Sequence, residues 1–145
     1  MVYPQEIFLR MAVVWKDEHM LEVEFTASNA SFKGTTQAYD TSESLSDLAN
    51  KLVDFPNKEA SIFHQVGAKD GYAYCSMRFY PIGGGGLIGV LIQLEENVST
   101  AYRKEEKSKL ALELIVEPCA IDNFYKQLKT MAHKQEGIAL LVGRM

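Results

Sequence analysis

The sequence predicts an α+β fold, a mainly antiparallel sheet of six to eight strands with two helices packed on one face. Several segments alternate apolar and polar residues, as half-buried strands do. Two other segments repeat apolar residues every three to four positions, as amphipathic helices do. The links between strands are mostly of hairpin length, which favours antiparallel pairing. The predicted order is βββ-α-ββββ-α, with a candidate final strand.

The first three strands are predicted over residues 6–15, 21–28 and 31–39. The first is rich in Ile, Val, Phe and Trp, and "LEVEFTAS" (21–28) alternates cleanly between an apolar and a polar face. Short polar segments, Lys16–His19 and Asn29–Ala30, separate the three strands. We therefore expect an antiparallel meander.

The first helix is predicted to follow the third strand. Asp40, Thr41 and Ser42 are candidate N-caps, and Asp40 with Glu43 fits a loose capping box. Pro56 stops the helix. Its apolar stripe consists of Leu45, Leu48, Ala49, Leu52 and Val53.

Four more strands and a second helix are predicted after Pro56. The strands cover residues 60–66, 72–80, 87–94 and 109–116, with a polar loop over 95–108. The charge run 103–109 overlaps the end of this loop and is interpreted as solvated. The helix begins near Pro118, a favoured first-turn residue. Residues 137–143 are interpreted as an edge strand. The apolar stripe of this helix consists of Ile121, Phe124, Tyr125, Leu128 and Met131.

Composition restricts the class of protein and its partners. The chain has 145 residues, 47% hydrophobic and 23% charged, which predicts one globular domain over 1–145. A net charge of −4 argues against a nucleic-acid partner and suits a basic protein. Two cysteines without a CxxC motif, no signal peptide and no apolar stretch near the membrane-spanning length predict a cytoplasmic protein without membrane association.

The four glycines Gly83–Gly86 raise the question of a phosphate-binding loop. Such a loop leads into a helix N-terminus, whereas these glycines lead into the apolar strand 87–94 and lack the following Lys and Ser/Thr. They are interpreted as a hairpin corner. Gly89, inside the strand, indicates a bulge or a close backbone approach.

The sequence offers no catalytic or metal-binding motif. His19, His64 and His133 have no Cys or His neighbour at metal-ligand spacing. Cys75 and His64 form a conceivable nucleophile–base pair, but Cys75 shares its strand face with apolar residues, where a thiol stays protonated. The carboxylate pairs Glu22/Glu24 and Glu113/Glu117 are typical of solvent-facing strand positions. We therefore expect no enzyme, no metal and no cofactor.

One strand face carries the residue types that dominate protein interfaces. If both helices cover one side of the sheet, the opposite side is exposed and carries an aromatic and aliphatic patch. Tyrosine and arginine are enriched at binding hot spots, although aromatic residues also pack across strands without a partner. The candidate binding residues are Tyr72, Tyr74, Arg78, Tyr80, Leu87 and Leu91.

The succession "LEVEFTASNASFKGTTQAY", "ESLSDLANKLVDFP", "LIGVLIQL" and "KLALELIVEPCAIDNFYKQLKTM" resembles small bacterial α+β proteins grouped with WapI-like immunity proteins and their uncharacterised relatives. The resemblance covers roughly residues 20–132 and is one of pattern. It implies a non-enzymatic protein that neutralises a cognate toxin domain, and no set of functional residues carries over.

The sequence is compatible with three hypotheses for the function. The first is a protein-binding module of the immunity type, using the tyrosine-bearing surface. The second is a small-ligand-binding or enzymatic domain with a pocket between the exposed sheet face and the loop 95–109, lined by Tyr74, Arg78 and Tyr80. The third is a homo-oligomer that buries the same face against a second copy.

Overall fold

A computed structural model describes residues 6–69, 71–98 and 106–144. The predicted α+β class, element order and antiparallel pairing are confirmed. The strands are β1 (Ile7–Lys16), β2 (Leu21–Asn29), β3 (Lys33–Asp40), β4 (Ile62–Gly67), β5 (Ala73–Ile82), β6 (Leu87–Val98), β7 (Glu106–Val116) and β8 (Ile138–Val142). The helices are α1 (Ser42–Leu52) and α2 (Pro118–Lys134).

The eight strands form two four-stranded sheets instead of a single one. Sheet 1 has the order β3-β2-β1-β8, and sheet 2 has the order β4-β5-β6-β7. Each sheet contains a meander of consecutive antiparallel strands, β1-β2-β3 and β4-β5-β6-β7. Helix α1 lies between the two meanders in the sequence, so the first meander ends at β3 and a new one starts at β4.

The two sheets and the two helices share one hydrophobic core. The apolar faces of β2, β5 and β6 and the apolar stripes of α1 and α2 belong to a single cluster of buried side chains. Phe25 of sheet 1, Phe79 of sheet 2 and Phe124 of α2 are completely buried in it. Burial of one such side chain contributes about 1.5–3 kcal/mol before conformational entropy is subtracted. The inner face of each sheet is thus covered by the rest of the chain.

The N-terminus of α1 is capped by the middle one of the three candidates. Thr41 is the N-cap, and its side-chain oxygen accepts a hydrogen bond from the Ser44 backbone N–H at 3.0 Å. Asp40 instead accepts from the Thr41 N–H and lies 3.3 Å from His64 on β4. The helix ends at Leu52, before Pro56, so Val53 is its C-cap.

The C-terminal part of the chain joins the two sheets. Helix α2 begins at Pro118 as predicted, and β8 is an edge strand of sheet 1 as predicted. The Leu140 N–H at that edge donates to the side-chain oxygen of Gln127 on α2 at 2.7 Å. The Arg144 N–H donates to the Ile115 carbonyl of β7 at 2.7 Å, which connects sheet 1 to sheet 2.

The predicted loop over residues 95–108 is too long at both ends. Residues 95–98 belong to β6 and residues 106–108 to β7, because their backbones continue the antiparallel ladder between the two strands. Glu95 opposes Lys109 in the ladder, with 4.0 Å between carboxylate and ammonium. Residues 99–105, which include part of the charge run, lie outside the described residues. Neither α1 nor α2 is long and apolar enough to cross a membrane.

Candidate functional site

The outer face of sheet 2 points away from the core and carries most of the candidate binding residues. The register places Arg78 opposite Phe63 of β4 on one side and opposite Leu91 of β6 on the other. Leu91 in turn opposes Glu113 of β7. We call the following five residues the outer patch: Phe63, Arg78, Tyr80, Leu91 and Glu113.

Arg78 is the cationic centre of the outer patch. Its guanidinium carbon lies 4.6 Å from the centroid of the Phe63 ring. Phe63 and Arg78 are exposed and Leu91 is half-buried. No Asp or Glu among the described residues forms an ion pair with Arg78. A stacked, exposed guanidinium without a carboxylate is available for a partner.

Tyr80 is held in place by its neighbours on both sides. Its hydroxyl donates a hydrogen bond to the Glu113 carboxylate. Its ring lies against Gly89, directly opposite on β6, where a Cβ atom would overlap the ring. The β5–β6 register is continuous at this point, so Gly89 marks no bulge, and the group that approaches it closely is the side chain of Tyr80.

The environment of Tyr80 also changes its acidity. Burial of the phenol, the hydrogen bond to Glu113 and the negative charge of that carboxylate raise the pKa of Tyr80 to about 12. All three effects disfavour the phenolate. At neutral pH Tyr80 is therefore a neutral donor whose hydroxyl is already engaged within the outer patch.

The other candidate binding residues differ widely in exposure. Tyr72, just before β5, is 76% exposed, whereas Tyr74 is 3% exposed and its hydroxyl lies 3.3 Å from Gln65 Oε1. Leu87 is half-buried and pairs with Ile82 at the end of the β5–β6 hairpin. Thus Arg78, Tyr80 and Leu91 are brought together, Leu87 flanks them, and Tyr74 is withdrawn from the surface.

Two members of the outer patch were not among the sequence-predicted residues. Phe63 lies between the inward-facing residues Ile62 and His64, so strand alternation alone could have assigned it to the outer face. Glu113 could be assigned outward in the same way, but its contact with Tyr80 depends on the register of three strands.

The glycine run forms the corner of the β5–β6 hairpin, as predicted. Residues 83–86 are exposed and form a turn between two paired strands. Gly83 and Gly86 have φ values of 59° and 84°, in the left-handed region that glycine adopts without strain. Because β6 follows the turn instead of a helix, the glycine run does not provide the helix N-terminus of a phosphate-binding loop.

Cys75 and His64 do not form a nucleophile–base pair. Cys75 is completely buried, and burial together with the nearby Asp40 carboxylate raises the pKa of its thiol. His64 Nε2 lies 3.3 Å from Asp40 Oδ2 and connects the two sheets. A thiol held protonated in the core is a poor nucleophile. We therefore interpret Cys75, His64 and Asp40 as residues that connect and fill the core.

The other side chains considered for catalysis or metal binding lie apart from one another. His19 is in the β1–β2 turn and His133 is exposed near the end of α2. Glu117 is the N-cap residue of α2, whereas Glu113 faces Tyr80. Within the described part of the chain, no three His, Cys, Asp or Glu side chains converge as a metal-binding group.

Comparison with known proteins yields no relative. No protein-family model, curated protein or solved structure matches the chain.

Proposed function

We propose that this protein is a non-enzymatic, cytoplasmic protein-binding module that uses the outer patch to hold a protein partner. The observation that carries the proposal is Arg78, exposed, stacked on Phe63 and without a carboxylate partner among the described residues. Arginine and aromatic side chains at the centre of a patch are the common anchors of protein interfaces.

The construction of the outer patch supports this role. The Tyr80 ring is fixed by Gly89 and by Glu113, so little side-chain entropy remains to be lost when a partner binds. Ile115, the next outward-facing residue of β7 after Glu113, is an exposed apolar side chain that extends the patch. The free thiols Cys75 and Cys119 fit a reducing compartment.

The resemblance to WapI-like immunity proteins suggests the kind of partner, a toxin domain that the protein neutralises. The net charge of −4 fits a partner with a basic surface. On this proposal the partner places a carboxylate against Arg78 and apolar side chains against Leu91 and Phe63.

A co-expression experiment with the product of the adjacent gene tests the proposal. If that product is toxic, the wild-type chain is expected to restore growth and to bind the purified toxin domain in calorimetry. Arg78→Glu is expected to weaken binding at least about tenfold, because it removes an anchor and adds a repulsive charge. Lys51→Glu on α1 is the matched charge-reversal control and is expected to bind normally.

Three outcomes would count against the proposal. Toxicity that the wild-type chain leaves unchanged would exclude the immunity role. Equal binding by Arg78→Glu and Lys51→Glu would exclude the outer patch as the interface. Dimerisation in light scattering that Arg78→Glu abolishes would favour the homo-oligomer instead.

A further inference from the structure

A pair of exposed aromatic residues occupies one end of the outer face of sheet 1. Trp15 and Tyr39 are 49% and 51% exposed, and their ring centroids lie 6.2 Å apart at an interplanar angle of 86°. They belong to β1 and β3, which flank β2. Glu22 of β2 lies between them, because it pairs with Trp15 of β1 on one side and with Tyr39 of β3 on the other. The three residues therefore form one cross-strand row.

A β-bulge places Trp15 in this row. The β1–β2 register is regular up to the pair Val13–Val23 and then shifts, so that Val14 has no partner and Trp15 opposes Glu22. Without the extra residue, Val14 would occupy the position opposite Glu22. Bulges commonly re-aim a side chain in this way.

The charge of Glu22 is not compensated by any residue that the structure describes. Among the described residues, Glu22 has no hydrogen-bond or ion-pair partner. The next carboxylate on the same strand face, Glu24, is 3.5 Å from Arg10 and accepts a hydrogen bond from Gln37. Glu22 is also half-buried, which strengthens its attraction for a cation relative to a fully solvated carboxylate.

The surroundings of the row are mostly acidic or apolar. Asp17 and Glu18 lie in the adjoining β1–β2 turn, where the Asp17 carboxylate accepts from the His19 and Met20 N–H groups. Lys16, which follows Trp15 in the sequence, opposes Leu21, an inward-facing residue. Val14 and Met20 add exposed apolar surface at the same end of the sheet.

We propose that the row Trp15–Glu22–Tyr39 binds the guanidinium group of an arginine on a protein partner. Aromatic faces attract cations, and a guanidinium can stack on a ring while it donates two parallel hydrogen bonds to a carboxylate. This site lies on the other sheet from the outer patch and does not depend on the function proposed for that patch.

The single tryptophan of the chain provides a direct test, since Trp15 is the only source of indole fluorescence. The probe is the peptide acetyl-Arg-Arg-Arg-amide, titrated into the full-length protein at low ionic strength. We expect a saturable change in Trp15 fluorescence that added salt weakens. The absence of a saturable change would overturn the proposal. So would a Trp15 fluorescence per mole of protein that changes with protein concentration in the absence of peptide, because it would indicate that a second copy of the chain occupies the site.

Matched variants separate the row from general negative charge. Glu22→Gln is expected to weaken binding at least about fivefold, whereas Glu18→Gln in the turn weakens it less than about twofold. Tyr39→Leu is expected to weaken binding as well, and circular dichroism confirms that each variant is folded. Equal effects of Glu22→Gln and Glu18→Gln would show diffuse electrostatics and overturn the site.

A lysine peptide tests the choice of guanidinium. Acetyl-Lys-Lys-Lys-amide has the same charge but cannot stack a planar group on the rings, so we expect it to bind at least about threefold more weakly. Equal affinity for the two peptides would overturn the assignment to arginine.

Discussion

Tyr80 shows how one carboxylate changes the chemistry of a neighbouring side chain. Its pKa is raised to about 12 by burial, by its hydrogen bond to Glu113 and by the charge of Glu113. Because the folded state holds the phenolic proton more tightly than the unfolded state, Tyr80 makes the fold more stable below about pH 10 than above about pH 12. The stabilisation is lost as the pH rises from about 10 to about 12.

Glu113→Gln is expected to lower the pKa of Tyr80, although burial of the phenol keeps it above the ordinary value. The removed charge and carboxylate acceptor account for the decrease. A pH titration of the Tyr80 Cζ resonance by NMR measures it. Glu117→Gln is the control, because Glu117 is the N-cap residue of α2 and is not the carboxylate that accepts the Tyr80 hydrogen bond. Equal pKa values in the two variants would contradict the assigned contact.

Gly89 is required by the ring that lies on it. In Gly89→Ala the new methyl group would overlap Tyr80 and crowd Ile82, so we expect a loss of about 1–3 kcal/mol in the free energy of unfolding. Urea denaturation measures the loss. Gly84→Ala, in the open hairpin corner, is the control and is expected to change stability by less than about 1 kcal/mol.

A second substitution identifies the cause of that loss. In a Tyr80→Ala background the ring is absent, so Gly89→Ala is expected to cost less than it does in the wild type. An unchanged cost would mean that the Tyr80 ring is not what excludes a side chain at position 89.

At the scale of elements, the short strand β8 depends on a side chain of α2. Gln127 accepts the hydrogen bond of Leu140 N–H, a donor at the sheet edge. Gln127→Ala is expected to lower the free energy of unfolding by about 1 kcal/mol and to speed hydrogen exchange at Leu140, since the amide loses its acceptor. Gln127→Glu keeps an acceptor oxygen and is expected to preserve the protection. Equal exchange in both variants would contradict this role.

The elements themselves follow closely from local sequence, but their ends and exposed faces do not. Alternation identified β2 and β5, and the apolar stripes identified α1 and α2, because each pattern depends on neighbouring residues. The ends of β6 and β7 were missed because charged residues such as Glu95 and Lys107 become strand-like only when the register pairs them with a residue of the other strand. Likewise, alternation placed Tyr74 outward correctly but could not show that it is buried.

The candidate sites needed information from several strands. Arg78 and Leu91 were recognised from single strands, whereas the contribution of Phe63 and Glu113 follows from the pairing of β4, β5, β6 and β7. Trp15 was hidden for another reason. The bulge at Val14 breaks the alternation that would otherwise have shown which residue faces outward.

At the scale of the whole molecule, the shared core predicts that both sheets unfold together. Phe25 lies in sheet 1 and Phe79 in sheet 2, and both are completely buried in the same cluster. Phe25→Ala and Phe79→Ala are each expected to cost about 3–5 kcal/mol. Trp15 fluorescence reports on sheet 1 and far-UV circular dichroism on all elements. Phe79→Ala is therefore expected to shift both transitions equally, and an unshifted Trp15 transition would contradict a single cooperative unit.

The positions of the two cysteines allow the opening of the folded protein to be followed by thiol labelling. Cys119 is exposed at the start of α2, whereas Cys75 is enclosed on the inner side of β5. A thiol-reactive dye added to the native protein labels the first at once and the second only when sheet 2 comes apart. The difference between the two labelling rates measures how often sheet 2 opens and exposes Cys75.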